Sequence, residues 1–440
     1  MAKKLKAFAI IFVGLMLGVQ GSFVGMVAAG EATVDSKTIE RLERLIREQQ
    51  KQLESLQQQL DQLKQTAAEA QDQASEAKSA AEQAAVAARH AVVAVQPVDR
   101  AVTSGQARVK LAISGQINRA VNVIDDGKNT TGYFVDNDSS NTRVRFVGTA
   151  KASDDLLLGS RLEMAMNSNE SGEVSQNSEN SGDFFNVRWA DLSLASKRFG
   201  KLYFGRGDTA SNNAAELDLS RTDVVQYAGI ADIAGGMLFR QNRGDKLTSI
   251  SVSDAFKDLD GLSRQNRVRY DTPTLWGFHL QGGLVSNQRW DASLWWGGQA
   301  LGFKAVAAAA ISDPNKSNTD LIVDGSFSVL HEASGLNLTL SAGQRGRDHQ
   351  GDASNFYVKG GWLTQFFPVG QTAFGLDYTR SVNLPTGRDD GYSIGGAVVQ
   401  QFENYGTEVF LQYRLYSLSR DAAPSVQSMK VGTIGARVKF

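Results

Sequence analysis

The sequence contains no cysteine, which excludes a disulfide framework, a thiolate metal site and a cysteine nucleophile. Proline is scarce as well, with six residues against 43 glycines in a chain of 440. The four histidines, His90, His279, His331 and His349, are scattered and leave little material for a histidine-rich metal site. We therefore predict neither a metal nor a cofactor.

An excess of charge of either sign is also lacking. The chain has 46 Lys and Arg residues against 47 Asp and Glu residues, a formal net charge of −1, so nucleic acid is not an expected partner. Mean hydropathy is −0.27, too low for a bundle of membrane-spanning helices. This value is compatible with an outer-membrane β-barrel, because alternating strands average to the hydropathy of a soluble protein.

The first 29 residues have the layout of a secretory signal peptide. Three lysines within the first six residues precede an apolar run over 7–29, and small residues close that run. The pattern allows cleavage after Ala29 or after Ala32. An uncleaved membrane anchor is the alternative interpretation, since the apolar run is somewhat long.

A seven-residue repeat follows. From Ile39 to Ala91 two registers of apolar residues recur, and only Gln49 is polar among them. This pattern predicts an α-helical coiled coil, a rod of roughly 80 Å at about 1.5 Å per residue. A single solvated helix is the alternative, but it needs no such repeat. We assign 30–94 to a periplasmic coiled coil, with heptads over 39–91, and 95–107 to a linker.

From residue 108 to Phe440 the repeat shortens to two residues. Val144 and Phe146, for example, alternate with Arg143 and Arg145. Such segments, separated by clusters of Asn, Asp, Ser and Gly, are typical of an all-β transmembrane barrel, whose strands meet lipid on one face and water on the other. A soluble β-sandwich also alternates. The arginines opposite the apolar face, the export signal and the absence of cysteine favour the barrel.

We count about sixteen antiparallel strands, an even number, as single-chain bacterial barrels require. A barrel of this size is wide enough for an aqueous channel. The connection at about 206–264 is much longer than the others. It either hides two short strands near 237–239 and 247–252, which would make eighteen, or is one long third loop with structure of its own. The predicted strands are 109–124, 140–152, 156–167, 186–195, 200–205, 265–271, 277–286, 291–300, 302–312, 321–331, 336–345, 354–363, 371–380, 392–402, 406–418 and 427–440.

Several stretches occur in a recognisable order: Ser114–Ala120 (SGQINRA), Val135–Arg143 (VDNDSSNTR), Phe199–Arg206 (FGKLYFGR), Arg267–Pro273 (RVRYDTP) and the terminal Phe440. Together they resemble the Gram-negative general porins, notably those of the alphaproteobacterial type. The resemblance covers about 109–440. The coiled coil and the long third-loop region depart from it.

The resemblance implies a homotrimer of sixteen-stranded barrels in the outer membrane, in contact with lipid and lipopolysaccharide. Each barrel would pass ions and small hydrophilic solutes by diffusion, and the third loop would fold inward to narrow the pore. An apolar last strand ending in Phe440 would serve as the barrel assembly signal. The implied constriction sets Glu216, Asp218 and Asp223 of the loop opposite Arg119, Arg143, Arg145, Arg161 and Arg188.

Strand parity supports part of this assignment. Arg143, Arg145 and Arg161 fall on the polar side of their strands, where Glu163 is a charge partner for them. Arg119 falls on the apolar side of its strand unless a bulge at Gly115 shifts it. Arg188 stands at the start of a strand, where parity is uncertain.

Two other functions stay open, as do the solute preference and the sign of ion selectivity. An outer-membrane enzyme would need a Ser/His/Asp or Asp/His constellation, and no motif assembles around the histidines, so we predict no catalysis. A structural tether is compatible with the coil, which would reach from the outer membrane toward peptidoglycan.

Overall fold

The computed structural model describes residues 109–440, apart from 167, 182–184, 318, 348–350 and 423. The signal peptide, the coiled coil and the linker predicted over 1–107 lie outside the described residues. Within the described part, no helix has the length and apolar character needed to cross a membrane.

The described residues form nineteen strands and little helix. Their alternating apolar and polar side chains suit a pleated sheet with two different faces. Helical pieces are short: α1 (Val252–Ala255) and 3-10 turns at Asp138–Ser140, Ile230–Ile233 and Glu403–Tyr405. The strands are β1 (Val109–Asp125), β2 (Thr130–Asp136), β3 (Arg143–Lys151), β4 (Leu156–Ala165), β5 (Asn186–Ser196), β6 (Gly200–Asp208), β7 (Leu238–Arg240), β8 (Leu247–Ser251), β9 (Arg264–Asp271), β10 (Phe278–Val285), β11 (Arg289–Ala300), β12 (Phe303–Asp313), β13 (Ile322–His331), β14 (Leu336–Arg345), β15 (Ala353–Phe367), β16 (Gly370–Val382), β17 (Asp390–Phe402), β18 (Thr407–Ser419) and β19 (Met429–Lys439).

The strands close into one antiparallel barrel. One edge of β1 pairs with β19, from Gln116 opposite Lys439 to Asp125 opposite Lys430. Its other edge pairs with β3 over the first half and with β2 over the second, so β2 and β3 share one position in the ring. Since β7 and β8 form a separate sheet, sixteen positions remain in the ring. The predicted sixteen-stranded antiparallel barrel is confirmed.

The long connection after β6 has structure of its own. The strands β7 and β8 form near the two positions where short strands were considered, but they pair with each other and not with the barrel. Helix α1 follows β8, and its first turn is closed by a capping box between Ser251 and Asp254. The eighteen-stranded alternative is therefore wrong.

The outer face of the barrel is apolar. On β6, Leu202 and Phe204 are 42% and 64% exposed, whereas Tyr203 between them is 1% exposed. Near the short turns at one end of the barrel, further exposed aromatic residues such as Trp276 and Tyr405 form a rim. An apolar belt with aromatic residues at its edge is the surface that a barrel presents to a bilayer.

The third loop, residues 209–263, folds into the barrel and builds an apolar core there. Ile233, Met237, Phe239 and Phe256 are buried in one cluster with the wall residue Tyr416. The rings of Phe256 and Tyr416 lie 5.3 Å apart between centroids. Strand parity predicts only the polar inner wall, so this core inside the lumen is a feature that the loop adds.

Hydrogen bonds fasten the loop to the wall. Asn122 Nδ2 of β1 donates to the carbonyl oxygen of Ile233 at 2.7 Å. Ser293 Oγ of β11 donates to the carbonyl oxygen of Ala210 at 2.6 Å. The loop therefore spans the lumen between separate parts of the wall.

A glycine makes room for the C-terminal residue at the seam of the barrel. Gly115 N donates to Phe440 O at 2.8 Å, and Phe440 N donates to Gly115 O at 3.0 Å. A Cβ at Gly115 would lie 2.6 Å from the Phe440 ring and 2.8 Å from the carbonyl oxygen of Arg143. Only a residue without a side chain lets Phe440 lie across the start of β1.

Gly115→Val should therefore destabilise barrel closure, because overpacking of this kind costs about 1–3 kcal/mol. We expect the compact barrel band on a detergent gel to be lost at a lower temperature. Gly132→Val on β2 is the matched control, since a Cβ at Gly132 meets nothing within 4 Å. Equal melting temperatures for the two variants would contradict this role of the seam.

Candidate pore constriction

Four of the predicted arginines meet on one inner wall, formed by the adjacent strands β3, β4 and β5. Glu163 of β4 holds two of them. Arg145 Nε donates to Glu163 Oε2 at 2.6 Å, and Arg188 Nε donates to Oε1 at 2.7 Å. The Glu163 side chain is only 1% exposed. Glu163 is thus the charge partner that fixes Arg145 and Arg188 relative to each other.

A β-bulge turns Arg188 toward the lumen. The register between β4 and β5 shifts so that Glu163 pairs with Trp189 but Met164 pairs with Val187. Arg188 is the additional residue between these two pairs. A bulge redirects side chains locally, so strand parity could not predict the direction of Arg188.

Aromatic rings and carboxylates hold the neighbouring arginines. The guanidinium carbons of Arg145 and Arg161 lie 4.3 and 4.4 Å from the centroid of the Trp189 ring. Arg161 also makes two hydrogen bonds to Asp191, of 2.9 and 2.5 Å. Paired hydrogen bonds and cation–π contacts restrict the guanidinium to one orientation.

Strand β9 adds arginines that the sequence analysis did not include in the site. Arg267 shares the carboxylate of Asp191 at 2.7 Å. Arg264 Nε lies 3.1 Å from Asp208 Oδ1. The alternation of Arg267 and Arg269 with Val268 and Tyr270 was the signal available in the sequence for Arg267, whereas Arg264 precedes this alternation. We call Arg143, Arg145, Arg161, Arg188 and Arg264 the basic wall.

The predicted acidic residues lie in three different environments. Glu216 is half-buried, and the charges of Asp260 and Asp258 act on it. Asp218 is bound instead to the buried Lys359 of β15. Asp223 is exposed. Only Glu216 of the three therefore joins an acidic group on the loop.

Asp232, Asp258 and Asp260 complete this group, and the sequence analysis did not include them. We call them, together with Glu216, the acidic cluster. The hydroxyl of Tyr227 donates to Asp232 Oδ2. The charge of Arg188 acts on Asp232, and that of Arg264 acts on Asp260. The acidic cluster thus stands within Coulomb range of the basic wall.

The connection between β4 and β5 also reaches into the lumen. Ser171 Oγ donates to the carbonyl oxygen of Asp232 at 2.5 Å, and Ser171 N donates to the carbonyl oxygen of Asp136 at 2.9 Å. Glu170 beside it is 9% exposed. A stretch that the sequence presents only as a cluster of turn residues therefore supports the third loop.

Arg119 lies apart from the other predicted arginines. Its side chain is 43% exposed on the apolar, outward side of β1. It donates to the carbonyl oxygen of Ser168 at 2.8 Å and lies 3.6 Å from Asp136. Because β1 pairs with β19 in unbroken register through Arg119, no bulge turns this side chain inward.

The described histidines make packing contacts. His279 stacks on Trp295 with ring centroids 6.2 Å apart. His331 hydrogen bonds with Ser334 at 2.8 Å within an exposed turn. His349 lies outside the described residues. In the described part of the chain, no group of three or more His, Asp or Glu residues is arranged to hold a metal ion.

Comparison with known proteins shows which family has this arrangement of strands. A family model described as Gram-negative porin matches residues 77–432. The chain belongs to the Gram-negative porin family. It is an outer-membrane channel for passive diffusion.

Solved structures have the same fold as this porin at low sequence identity. The loop L8 deletion mutant of OmpT, an outer membrane protein of Vibrio cholerae, is 15% identical, with a TM-score of 0.51 over 76% of this chain and 100% of that chain. An anion-selective porin from Comamonas acidovorans is 14% identical, with a TM-score of 0.50 over 76% of this chain and 100% of that chain. No curated protein matches the sequence.

Burial and mutual repulsion raise the pKa values of Glu216, Asp232 and Asp260 in the acidic cluster. The pKa of Asp260 rises to about 7, through burial first and then through the charge of Asp258. Burial and neighbouring carboxylates also raise the pKa values of Glu216 and Asp232. A carboxylate is neutral below its pKa, so the cluster loses negative charge as the pH falls through this range.

Ion selectivity of the porin should therefore depend on pH. Lowering the pH from about 9 to about 5 should move the reversal potential in a salt gradient toward anion preference, because loop carboxylates become protonated while arginines stay charged. Asp260→Asn should remove the part of this shift near neutral pH. A reversal potential that stays constant over the whole range would contradict the raised pKa values.

Proposed function

We propose that solutes cross this porin through the gap between the basic wall and the acidic cluster, and that these two groups of charges form its constriction. The observation that supports this proposal is proximity: Arg188 and Arg264 lie close enough to Asp232 and Asp260 for their charges to act on these carboxylates. The gap would pass ions and small hydrophilic solutes by diffusion.

Opposed charges across a narrow aqueous gap produce a transverse electric field. Water orients in such a field, so an apolar solute has to displace ordered water, whereas a small polar or charged solute replaces some of its interactions. Arg143 contributes strongly, because it donates to the neutral Ser140 Oγ at 3.1 Å and not to a carboxylate. Arg145 and Arg188 contribute less, since both are bound to Glu163.

Neutralising the two sides should change ion selectivity in opposite directions. Arg143→Gln combined with Arg188→Gln should move the reversal potential toward cations. Glu216→Gln combined with Asp232→Asn should move it toward anions at about pH 9, where the raised pKa values still leave the acidic cluster most negative. The shifts should be largest in dilute salt, because the Debye length is about 10 Å at 0.1 M and shortens as salt increases.

Asp154→Asn is the control for these variants, because its side chain is 99% exposed in the turn between β3 and β4. It should leave the reversal potential unchanged. If both double variants behave like this control in dilute salt, these residues do not line the constriction.

The homotrimer belongs to the same proposal. A groove of about 440 Å³ on the outward face of β3–β6 offers a seat for side chains of a neighbouring copy. Its floor includes the small residues Gly148 and Ser160, and a threefold arrangement would cover it in every copy. The large side chains around the floor are Phe146, Leu162, Leu192 and Phe204.

Cross-linking of the purified porin in detergent should stop at the trimer, and Ser160→Trp should shift the products toward monomer by filling the groove. Gly360→Trp is the matched control, because Gly360 is exposed on β15 and a Cβ there meets nothing within 4 Å. A Ser160→Trp variant that folds and still gives full trimer would exclude the groove as the interface.

The proposed orientation places the short turns in the periplasm, and the apolar belt in contact with outer-membrane lipid and lipopolysaccharide. Val109 begins β1 opposite Ala150, close to the short turn after β3. The preceding segment therefore joins the barrel at the periplasmic end in this orientation. A coiled coil over 39–91 would then point toward peptidoglycan, and a tethering role would be additional to the channel.

A further inference from the structure

A lysine of the barrel wall is completely buried beneath the third loop. The side chain of Lys359 on β15 is 0% exposed, and lysine is almost never fully buried unless it is paired. Its Nζ donates to Asp218 Oδ2, to Thr222 Oγ1 at 2.9 Å and to the carbonyl oxygen of Gln226 at 2.8 Å. All three donors of the ammonium are thus used, and every acceptor is on the loop.

Neighbouring polar contacts bring the same stretch of loop onto the wall. Leu217 N donates to Ser326 Oγ, and Leu219 N donates to Ser328 Oγ, each at 3.0 Å. These serines are neutral; Ser326 Oγ also donates to the carbonyl oxygen of Ala214 at 2.6 Å, and Ser328 Oγ shares a hydrogen bond with Thr339 of the wall. Lys359 differs because its single charged group hydrogen bonds with three residues of the loop.

The backbone of β16 leaves space for this close approach. A Cβ at Gly375 would lie 2.0 Å from Gln226 Oε1. A side chain there would displace the amide of Gln226, whose Nε2 donates to the carbonyl oxygens of Gly375 and Gly395 on the wall.

A second ion pair of the same loop provides a contrast. Arg221 and Glu403 lie 3.2 Å apart, with side chains 46% and 52% exposed. Exposed pairs of this kind contribute little, because water solvates both charges when they separate. The Asp218 side chain, in contrast, is only 4% exposed. If Lys359 is removed, the Asp218 carboxylate therefore stays buried without a cation unless the loop moves, and an unpaired buried charge is costly.

We propose that Lys359 is the positioning residue of the constriction. Its three acceptors, Asp218, Thr222 and Gln226, lie in the loop between Glu216 and Asp232 of the acidic cluster. By holding this stretch against β15, Lys359 sets how far the acidic cluster extends toward the basic wall, and so the width of the gap. The inference rests on the constriction proposed above.

Uptake of neutral sugars of increasing size into liposomes tests this role. Neutral sugars are the required probe, because loss of a positive charge alone changes ion flux even when the loop stays in place. Lys359→Met keeps an unbranched stem close in size to that of lysine and removes the ammonium, so larger sugars should enter faster than through the wild type. Arg221→Gln is the matched control: it removes a cation from the exposed pair on the same loop and should keep the wild-type size limit.

Two further variants keep the test decisive if Lys359→Met does not fold. Asp218→Asn removes the charged acceptor, leaves the ammonium its other two acceptors, and should give a smaller increase in the size limit. Gly375→Ala keeps all three acceptors of Lys359 but displaces the Gln226 amide from its bonds to Gly375 and Gly395, so it should increase the limit as well.

A wild-type size limit in every folded variant, or an equal increase in Arg221→Gln, would overturn the role of Lys359. These outcomes differ from failure of the proposed constriction, in which the double variants of the basic wall and the acidic cluster would leave the reversal potential unchanged.

Discussion

Within the hydrocarbon of a membrane every backbone N–H and C=O group has to find a partner inside the protein, and the pairing of β1 with β19 meets this requirement. Once the ring is closed, the inward or outward direction of each side chain follows from its position in the register. The outward belt, the polar inner wall and the place of Phe440 beside Gly115 all depend on this seam.

Closure with sixteen positions creates a second constraint, because such a ring is too wide for wall side chains to fill. The third loop occupies part of the space with its own apolar core. It bonds to β1 and β11, and Lys359 holds it on β15. The basic wall lies elsewhere in the ring, on β3, β4, β5 and β9. The two sides of the lumen therefore differ: one carries the loop, and the other carries the arginines that face it.

Carboxylates organise the basic wall from within. Glu163 and Asp191 each hold two arginines, and both acids are almost fully buried. Burying a carboxylate costs free energy unless an opposite charge hydrogen bonds with it in good geometry. Here the guanidinium groups are those partners. The result is a wall in which several cations keep fixed positions while part of their charge is neutralised.

The sequence by itself determined the features that depend on local periodicity. The sixteen barrel strands lie where the two-residue repeat predicts them, and Arg143, Arg145 and Arg161 fall on the polar parity because a strand alternates regardless of its partners. A short strand, β2, was not predicted, since it completes the ring position that β3 begins. The inward direction of Arg188 depends on a bulge, which is a property of two paired strands.

Only the tertiary structure decided which acids belong together. Asp218 looked equivalent to Glu216 in the sequence, yet it pairs with Lys359, 141 residues away. Asp232, Asp258 and Asp260 join Glu216 because the loop folds back within the barrel. Periodicity describes how a side chain is directed relative to its own strand. It carries no information about the path of a loop whose contacts are with distant parts of the wall, and that path brings the charges together.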